Sequence, residues 1–493
     1  MRVGVLRRTV VLTIMIGTTL VGASVADAAR YIVVFNGKSV PASAEKAIAK
    51  AGGTLVYSYD RIGVAIADSD DPGFLARLDG RKGVTAVAPS GDDDFDDSEV
   101  SNPSEPRMGR LPNEPATDND PFSSRQWNLR QIGAVDAHAL TGGSPSVLVG
   151  HLDSGVDYTH PDLQHNVDLE NSASCVGGVP NQSADSTGRL PFFDTNGHGT
   201  FTAGEIVADD NGVGIVGVAP NVRLASVKVT SVDARDGKTK IFPESAICGL
   251  MWAATHGFDV MNASLAIDRT ELNVPAARVG YFCRSNPEDA VVIAAVRRAT
   301  RYALRRGVSL VASAGNSNFD LTSPPAGEDC IRMPGGLPGV IAVSAVGPVL
   351  ADGSAQRKTF SSNYGLGAID LTAPGGDQFE LAPATAGLVF STLPTSLAAS
   401  GYGFMGGSTS AAAPHVTGVA ALVISMFGDD SPGNGRMKPS RLRAILEESA
   451  TELACPPNPY IRPTVAPAIC EGTDELNGFY GHGEVNALAA LGG

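Results

Sequence analysis

Positive charge is scarce in this chain. Its 37 Lys and Arg stand against 52 Asp and Glu, a formal net charge of -15 over 493 residues. Such an acidic surface argues against nucleic acid and anionic membranes as partners. It suits solubility and bound cations. Charged residues of both signs make up only 18%, while hydrophobic content is an ordinary 43%. A disordered, charge-dominated polymer is thereby excluded. There are six cysteines, and none is spaced as C-x-x-C, so a zinc site of that kind is not indicated. Long apolar runs are also lacking: beyond the N-terminus no segment is expected to supply the roughly 20 apolar residues of a spanning helix.

What is present begins with an address. "MRVGVLRR" is basic, "TVVLTIMIGTTLVGASV" is apolar, and "ADA" at 26–28 is a small-x-small cleavage pattern. Residues 1–28 therefore read as a signal peptide, not an anchor, because the cleavage pattern follows the apolar run at once. A secreted, extracellular protein is expected, where cysteines pair. Six cysteines allow 15 complete pairings. Cys455 and Cys470 bracket a Pro-rich loop and form the first expected pair. Cys283 and Cys330 both fall in loop-like insertions and form the second. Cys175 and Cys248 remain, and a buried free thiol at Cys248, in a helical pattern, stands open beside a bridge.

Three regions follow. Residues 29–91 alternate strand-like "RYIVVF", "GTLVYSY" and "GVAIA" with helical "SAEKAIAKAG" and "DPGFLARLDG", a small α+β unit. Residues 92–120 are acidic, Pro-rich and without apolar periodicity, and read as a solvated linker. From 121 to 493, apolar runs such as "SVLVGHLD", "RLASVKV", "FDVMNASL", "VSLVASAG" and "VIAVSAVG" alternate with helical patterns at 200–208, 243–256, 288–305, 411–427 and 439–450. This predicts a three-layer α/β fold, a mostly parallel sheet with helices on both faces. Ligands bind such sheets at the carboxyl ends of the strands.

Polar residues that carry chemistry fall at those ends. Asp153 closes "SVLVGHLD", His198 lies in "DTNGHGT", Asn316 follows "LVASAG", and Ser410 opens the helix of "GGSTSAAAPHV". A serine hydroxyl needs a base, a histidine suits that role, and a buried carboxylate fixes the histidine tautomer. Asn316 can donate to an oxyanion, as can backbone N–H groups at a helix start. The order Asp, His, Ser differs from the Ser, Asp, His order of α/β-hydrolases, whose G-x-S-x-G is also absent because Ser410 stands where its second glycine would be.

On these residues the chain resembles the subtilisin-type (subtilase) serine proteases. "LDSGVDYTHPDL" is similar to the aspartate motif, "NGHGTFTAG" to the histidine motif, "ASAGN" to the oxyanion segment and "STSAAAPHVTG" to the serine motif. "GFYGHGEVNALAAL", at 478–491, is similar to the closing segment of the catalytic domain. The resemblance covers 121–493 and implies a subtilisin-like fold and peptide-bond hydrolysis through an acyl-enzyme, with protein or peptide substrates and a monomer. For 29–91 it implies a propeptide that inhibits and chaperones, removed by a cut between about 90 and 121. Ser410 aligns with the nucleophile. Ser408 stands where the family usually has glycine, adding a side chain to a tight turn; Phe201 replaces a second histidine and Ala411 a methionine.

The resemblance also implies further sites. Calcium would be held by Asp162 and, in the loop "DDNGVGIVGVAP", by Asn211, Val213 and Ile215, with Gln126 as an added ligand. Ser264, Leu265 and Ala266, with Ala312, Ser313, Ala314 and Gly315, would bind the substrate backbone and line its pocket. Arg332, before "MPGG", falls at the base of that pocket and would favour an acidic side chain ahead of the scissile bond. His151, His160 and His415 are expected to be structural. Two readings compete: an inactive relative that keeps the fold as a binding module, and a membrane-linked processing protease with a dedicated substrate.

Overall fold

The structure is a computed structural model. It describes residues 29–91, 93–94, 100–101, 120–232, 237–267, 280–324, 329–349, 357–379, 381, 383–429 and 437–493. Residues 1–28, read above as a signal peptide, lie outside the described residues, as does most of the linker region.

The N-terminal unit runs β1 (Ala29–Phe35), α1 (Ala44–Ala51), β2 (Thr54–Tyr59), β3 (Val64–Ser69), α2 (Phe74–Leu78) and β4 (Val84–Pro89). Its strands pair antiparallel in the order β2-β3-β1-β4. Period-two alternation divides the sheet faces. Val33, Phe35, Ala65 and Ala67 pack with Ile48, Phe74 and Leu78 in one core. Ile32, Val34, Val64 and Ile66 face the other way, into a core shared with residues 246–254 and 291–303 of the larger unit.

That unit is built on β5 (Leu148–Asp153), β6 (Ala173–Ser174), β7 (Arg223–Lys228), β8 (Val260–Ala263), β9 (Ser309–Ser313), β10 (Val340–Val346) and β11 (Leu371–Pro374). They form one parallel sheet in the order β11-β10-β9-β8-β5-β7-β6. The helices that matter most are α3 (His198–Val207), α4 (Pro243–Thr255), α5 (Pro287–Arg305) and α6 (Thr409–Phe427). Leu148, Leu152, Met261 and Leu310 point to α4 and α5. Val149, Val260, Val311 and Val343 point to α3 and α6. Both faces are covered, which is why these strands read as continuous apolar runs. The chain leaves β5 toward β7 on one side and β8 lies on its other side, so the crevice opens at the carboxyl end of β5, where Asp153 stands.

Several expectations need correction. Helix α6 is 19 residues long and apolar enough to cross a membrane, but 83% of its most apolar window is buried inside the fold. A core helix enclosed on all sides has the composition of a spanning one. Strands β4, β6 and β11 were not legible; β6 has two residues and β11 has four, ending in proline. Part of the linker is not a solvated spacer: Asp93–Asp94 pairs antiparallel with Thr239–Ile241, and Val100–Ser101 with Tyr402–Met405. Strand addition uses backbone groups alone, so composition does not reveal it. The disulfides are Cys455–Cys470 and Cys283–Cys330, as expected, and Cys175–Cys248, which decides the open alternative in favour of a bridge.

Polar contacts fix the N-terminal unit to α4 and α5. Arg298 Nη1 donates to the carbonyls of Phe35, Ile62 and Gly63 at 3.0, 3.1 and 3.1 Å. Tyr59 donates its hydroxyl to the Gly178 carbonyl at 2.6 Å, and Ser90 donates to the buried carboxyl of Glu244.

Candidate active site

Asp153 ends β5 and is fully buried. Its Oδ1 lies 2.8 Å from His198 Nδ1 and accepts the Ser154 N–H at 2.7 Å. Thr202 donates its hydroxyl to Oδ2 at 3.2 Å. Burial alone would raise this carboxyl. The charge and hydrogen bond of His198, with His151 and the Ser154 N–H, outweigh it and hold Asp153 below the usual carboxylate range. An ionised Asp153 at Nδ1 places the His198 proton there and leaves Nε2 as the basic nitrogen.

His198 is the first residue of α3. It is preceded by Gly197 at φ 105, a left-handed conformation that favours glycine. Asp194, which sequence reasoning missed, organises this turn. Its Oδ1 accepts from Ser154 Oγ, Asn196 N and Gly197 N, and its Oδ2 from Thr200 N and Oγ1. The signal was available: an Asp four residues ahead of a helix start is a local acceptor for exposed N–H groups.

Ser410 is the second residue of α6, where N–H groups have no intrahelical partner. Ser408 caps the helix, its Oγ accepting the Ser410 N–H at 2.9 Å. Its backbone is extended, φ -129 and ψ 131, so a side chain there carries no strain. The turn's demand falls on Gly407, at φ 72, where a Cβ would lie 2.6 Å from the Phe360 ring. Two other departures compensate each other. Phe201, three residues past His198, and Ala411, next to Ser410, share one apolar cluster with Trp127 and Met405. A larger side chain on α3 meets a smaller one on α6, and both helix starts open at one end of the sheet.

Asn316 follows β9, and its Oδ1 accepts both the N–H and the hydroxyl of Thr409 at 2.8 Å. Its amide nitrogen is thus the donor end of the side chain. Gly315 N donates to Thr409 Oγ1 at 2.9 Å, and Ser264 Oγ to the Ser410 carbonyl at 2.8 Å. Ser313 Oγ reaches the Leu265 carbonyl at 3.5 Å, and Ala314 accepts from Asn363 Nδ2 at 2.8 Å. Ala266 is half-buried beside Leu265. Ala312 pairs inside the sheet between Ala263 and Ala342 rather than at the crevice.

The three histidines expected to be structural, His151, His160 and His415, are buried in the fold. His415 lies with Nδ1 2.8 Å from the Ala411 carbonyl and Nε2 2.7 Å from Asn128 Nδ2, and burial pushes it down to about 4. His160 bonds the Gly401 carbonyl through Nε2 at 2.8 Å. Burial lowers His151 against the pull of Asp153, and its Nε2 lies 2.8 Å from Thr202 Oγ1.

The residues expected around calcium come together in part. Among the described residues no three His, Cys, Asp or Glu side chains cluster, so a cation would need carboxylate, amide and carbonyl oxygens in mixture. Asp162 Oδ2 accepts the Ile215 N–H at 3.0 Å and the Tyr402 hydroxyl at 2.9 Å, while Oδ1 is buried with no hydrogen-bond partner. Burial, reinforced by the neighbouring Asp120, pushes Asp162 up to about 6. Asp120 was not foreseen, having been read as linker. Asn211 sits against this group, its Oδ1 accepting the Val213 N–H at 2.9 Å. Gln126 accepts from Val216 N and donates to Val216 O, bracing the loop. A buried carboxylate oxygen without a partner, beside a second acid and the Asn211 side chain, fits a hard divalent cation.

The Subtilase family model matches residues 144–483. Subtilisin BL of Lederbergia lenta is 34% identical over 366 residues, 74% of this chain and 97% of that protein. The alkaline protease of Alkalihalobacillus alcalophilus is also 34% identical, over 74% of this chain and 69% of its own length. Among solved structures, the epidermin leader peptide processing serine protease of Staphylococcus aureus superposes with a TM-score of 0.66 at 20% identity. It covers 94% of this chain and 98% of its own. Fervidolysin of Fervidobacterium pennivorans gives 0.64 at 22% identity, over 96% of this chain and 62% of its own. These two likenesses speak for the fold. The sequence matches and the Asp153–His198 pair at the end of a seven-stranded parallel sheet lead to one conclusion: the chain belongs to the subtilase family and is a serine-type endopeptidase.

Proposed function

We propose that this endopeptidase is exported as a precursor and cuts peptide bonds with Ser410, His198 and Asp153. His198 Nε2 takes the Ser410 hydroxyl proton as Oγ attacks the peptide carbonyl. The Asn316 amide nitrogen and the Ser410 N–H bind the resulting oxyanion. Collapse breaks the C–N bond, with His198 returning the proton to the leaving amine. Water, deprotonated by His198, then releases the acyl group from Ser410. The observation that carries this reading is the buried 2.8 Å contact between an Asp153 held ionised and His198 Nδ1.

The N-terminal unit acts as inhibitor and folding partner, a role supported by its shared core with α4 and α5. Export is supported by the basic, apolar and small-residue pattern of 1–28. Asp162, Asp120, Asn211 and the carbonyls of Val213 and Ile215 would hold calcium, which supplies charge neutralisation where two carboxyls meet.

The test is hydrolysis of an unfolded protein by the exported chain and by Ser410→Ala and His198→Ala. Each substitution is expected to lower kcat by at least about 10,000-fold and to leave the full-length precursor uncut. Comparable turnover in either variant would refute the assignment.

A further inference from the structure

Where the N-terminal unit meets α5, the two enclose a cavity of about 240 Å³ whose side chains are mostly basic. Residues 36–38, which follow β1, and residues 61–62, between β2 and β3, form one wall. Arg298, Arg301 and Arg305 form the other. Spacings of three and four residues put these three arginines on one face of the helix. Lys38 and Arg61 come from the opposite unit, so five cations meet across one junction.

No acid answers them. Over the chain, 52 Asp and Glu outnumber 37 Lys and Arg, yet no carboxylate is among the described residues that line this cavity. Elsewhere in the N-terminal unit arginines have such partners, Arg30 with Asp68 and Arg77 with Asp71. Asp60, next to Arg61 in the chain, accepts the Ser58 hydroxyl at 2.5 Å. Arg298 donates Nη1 to the backbone carbonyls of the facing unit, and burial alone lowers its guanidinium, with no acid to raise it. The loop is closed tightly on that group. Gly63 stands at φ 63, where a Cβ would lie 2.4 Å from the Gly37 carbonyl and 3.2 Å from Arg298 Nη1. The helix dipole accounts for a cation in the last turn, at Arg305. It does not account for Lys38 and Arg61 opposite, because like charges facing across an interface oppose association. An anion between the walls removes that opposition.

The walls also select the anion. Guanidinium forks match the paired oxygens of a phosphate group. Ile62 is the one apolar side chain among the described lining residues, and no ring is there to stack a base. The volume lies below the roughly 300 Å³ at which pockets for larger organic ligands begin. We propose that this cavity is an oxyanion site for a phosphate or diphosphate group, and that the bound anion clamps the N-terminal unit to α5. The inference goes beyond the endopeptidase reading and does not depend on it.

The test is calorimetric titration of inorganic phosphate and of pyrophosphate into the full-length chain carrying Ser410→Ala, confirmed intact by mass, with chloride holding the ionic strength constant. One anion per chain is expected, the tighter of the two being the occupant. Arg61→Ser on one wall and Arg301→Ser on the other should each weaken it at least tenfold. Both side chains are exposed, so neither change opens a core. Lys46→Ser, an equal loss of charge on exposed α1 outside the cavity, should leave the affinity unchanged. Metal chelation by pyrophosphate is common to all the variants and cancels in the comparison. Heats no larger than those of chloride, or an equal weakening in Lys46→Ser, would overturn the site. Weakening in Arg301→Ser with none in Arg61→Ser would overturn the clamp, since the helix alone would then hold the anion.

Discussion

On the proposed mechanism, Ser408 and a substrate oxyanion compete for one hydrogen, the backbone N–H of Ser410. In the free site the Ser408 hydroxyl accepts it, and during turnover the oxyanion must take it over. One net hydrogen bond is worth about 1 kcal/mol, or about fivefold in rate. Ser408→Gly is therefore expected to raise kcat several-fold with little change in KM, because an extended backbone suits glycine and a Gly cap costs only a few tenths of a kcal/mol. A fall in kcat on steady-state assay would show that the cap serves catalysis. Packing at Phe201 and Ala411 is coupled in the same way. Ala411→Met should overfill the cluster, costing about 1–3 kcal/mol in chemical denaturation, and Phe201→Ala should relieve part of that loss. The four groups proposed for the site could be named from the sequence because their types are fixed by chemistry and their places by strand ends. Asp194 offered a signal, an Asp just ahead of a helix start, that was passed over; the capping role of Ser408 was not legible, because a side-chain oxygen reveals its task only once the N–H groups around it have positions.

Helix α4 presents Glu244 to the N-terminal unit. The carboxyl is buried under Ser90, with Arg30, Asp68 and the Tyr59 phenol as its charged or titratable neighbours. Burial raises it most, the Ser90 hydroxyl and Arg30 lower it, Asp68 raises it, and it stands at about 7 against an ordinary 4.5. On the proposed release of the N-terminal unit, Glu244 regains water and its ordinary value. The complex therefore holds a proton more firmly than the separated parts do. Its full affinity is present below 4.5, is lost at up to about tenfold per pH unit as pH rises toward 7, and levels off above. Inhibition constants of the N-terminal unit against the mature enzyme across pH 4–8 would show this, and Glu244→Gln should flatten the profile. Tighter binding at higher pH would contradict it. The elements themselves were legible where apolar periodicity ran for five residues or more, as in β5, β7, β10 and α5. Strands β6 and β11 and the pairing of Asp93–Asp94 were not, since their existence depends on a neighbouring edge and not on their own side chains.

Over the whole molecule, two acids meet near the start of the catalytic unit at Asp120 and Asp162. A bound cation that is absent from the unfolded chain stabilises by about 2.7 kcal/mol at a hundredfold excess over its Kd. Chelation of the mature enzyme is thus expected to lower Tm by several degrees, and added calcium to restore it. In Asp162→Asn the calcium-dependent part of the shift should disappear on calorimetry; an unchanged response would place the ion elsewhere. The central claim is narrower, that Ser410 and not Ser408 or Thr409 is the nucleophile. The most direct measurement is mass spectrometry of the matured chain after reaction with a fluorophosphonate, reading which hydroxyl of residues 408–410 carries the phosphonyl group. The account expects the adduct on Ser410 alone and none in Ser410→Ala. An adduct on Ser408 or Thr409, or labelling that persists in Ser410→Ala, would contradict it.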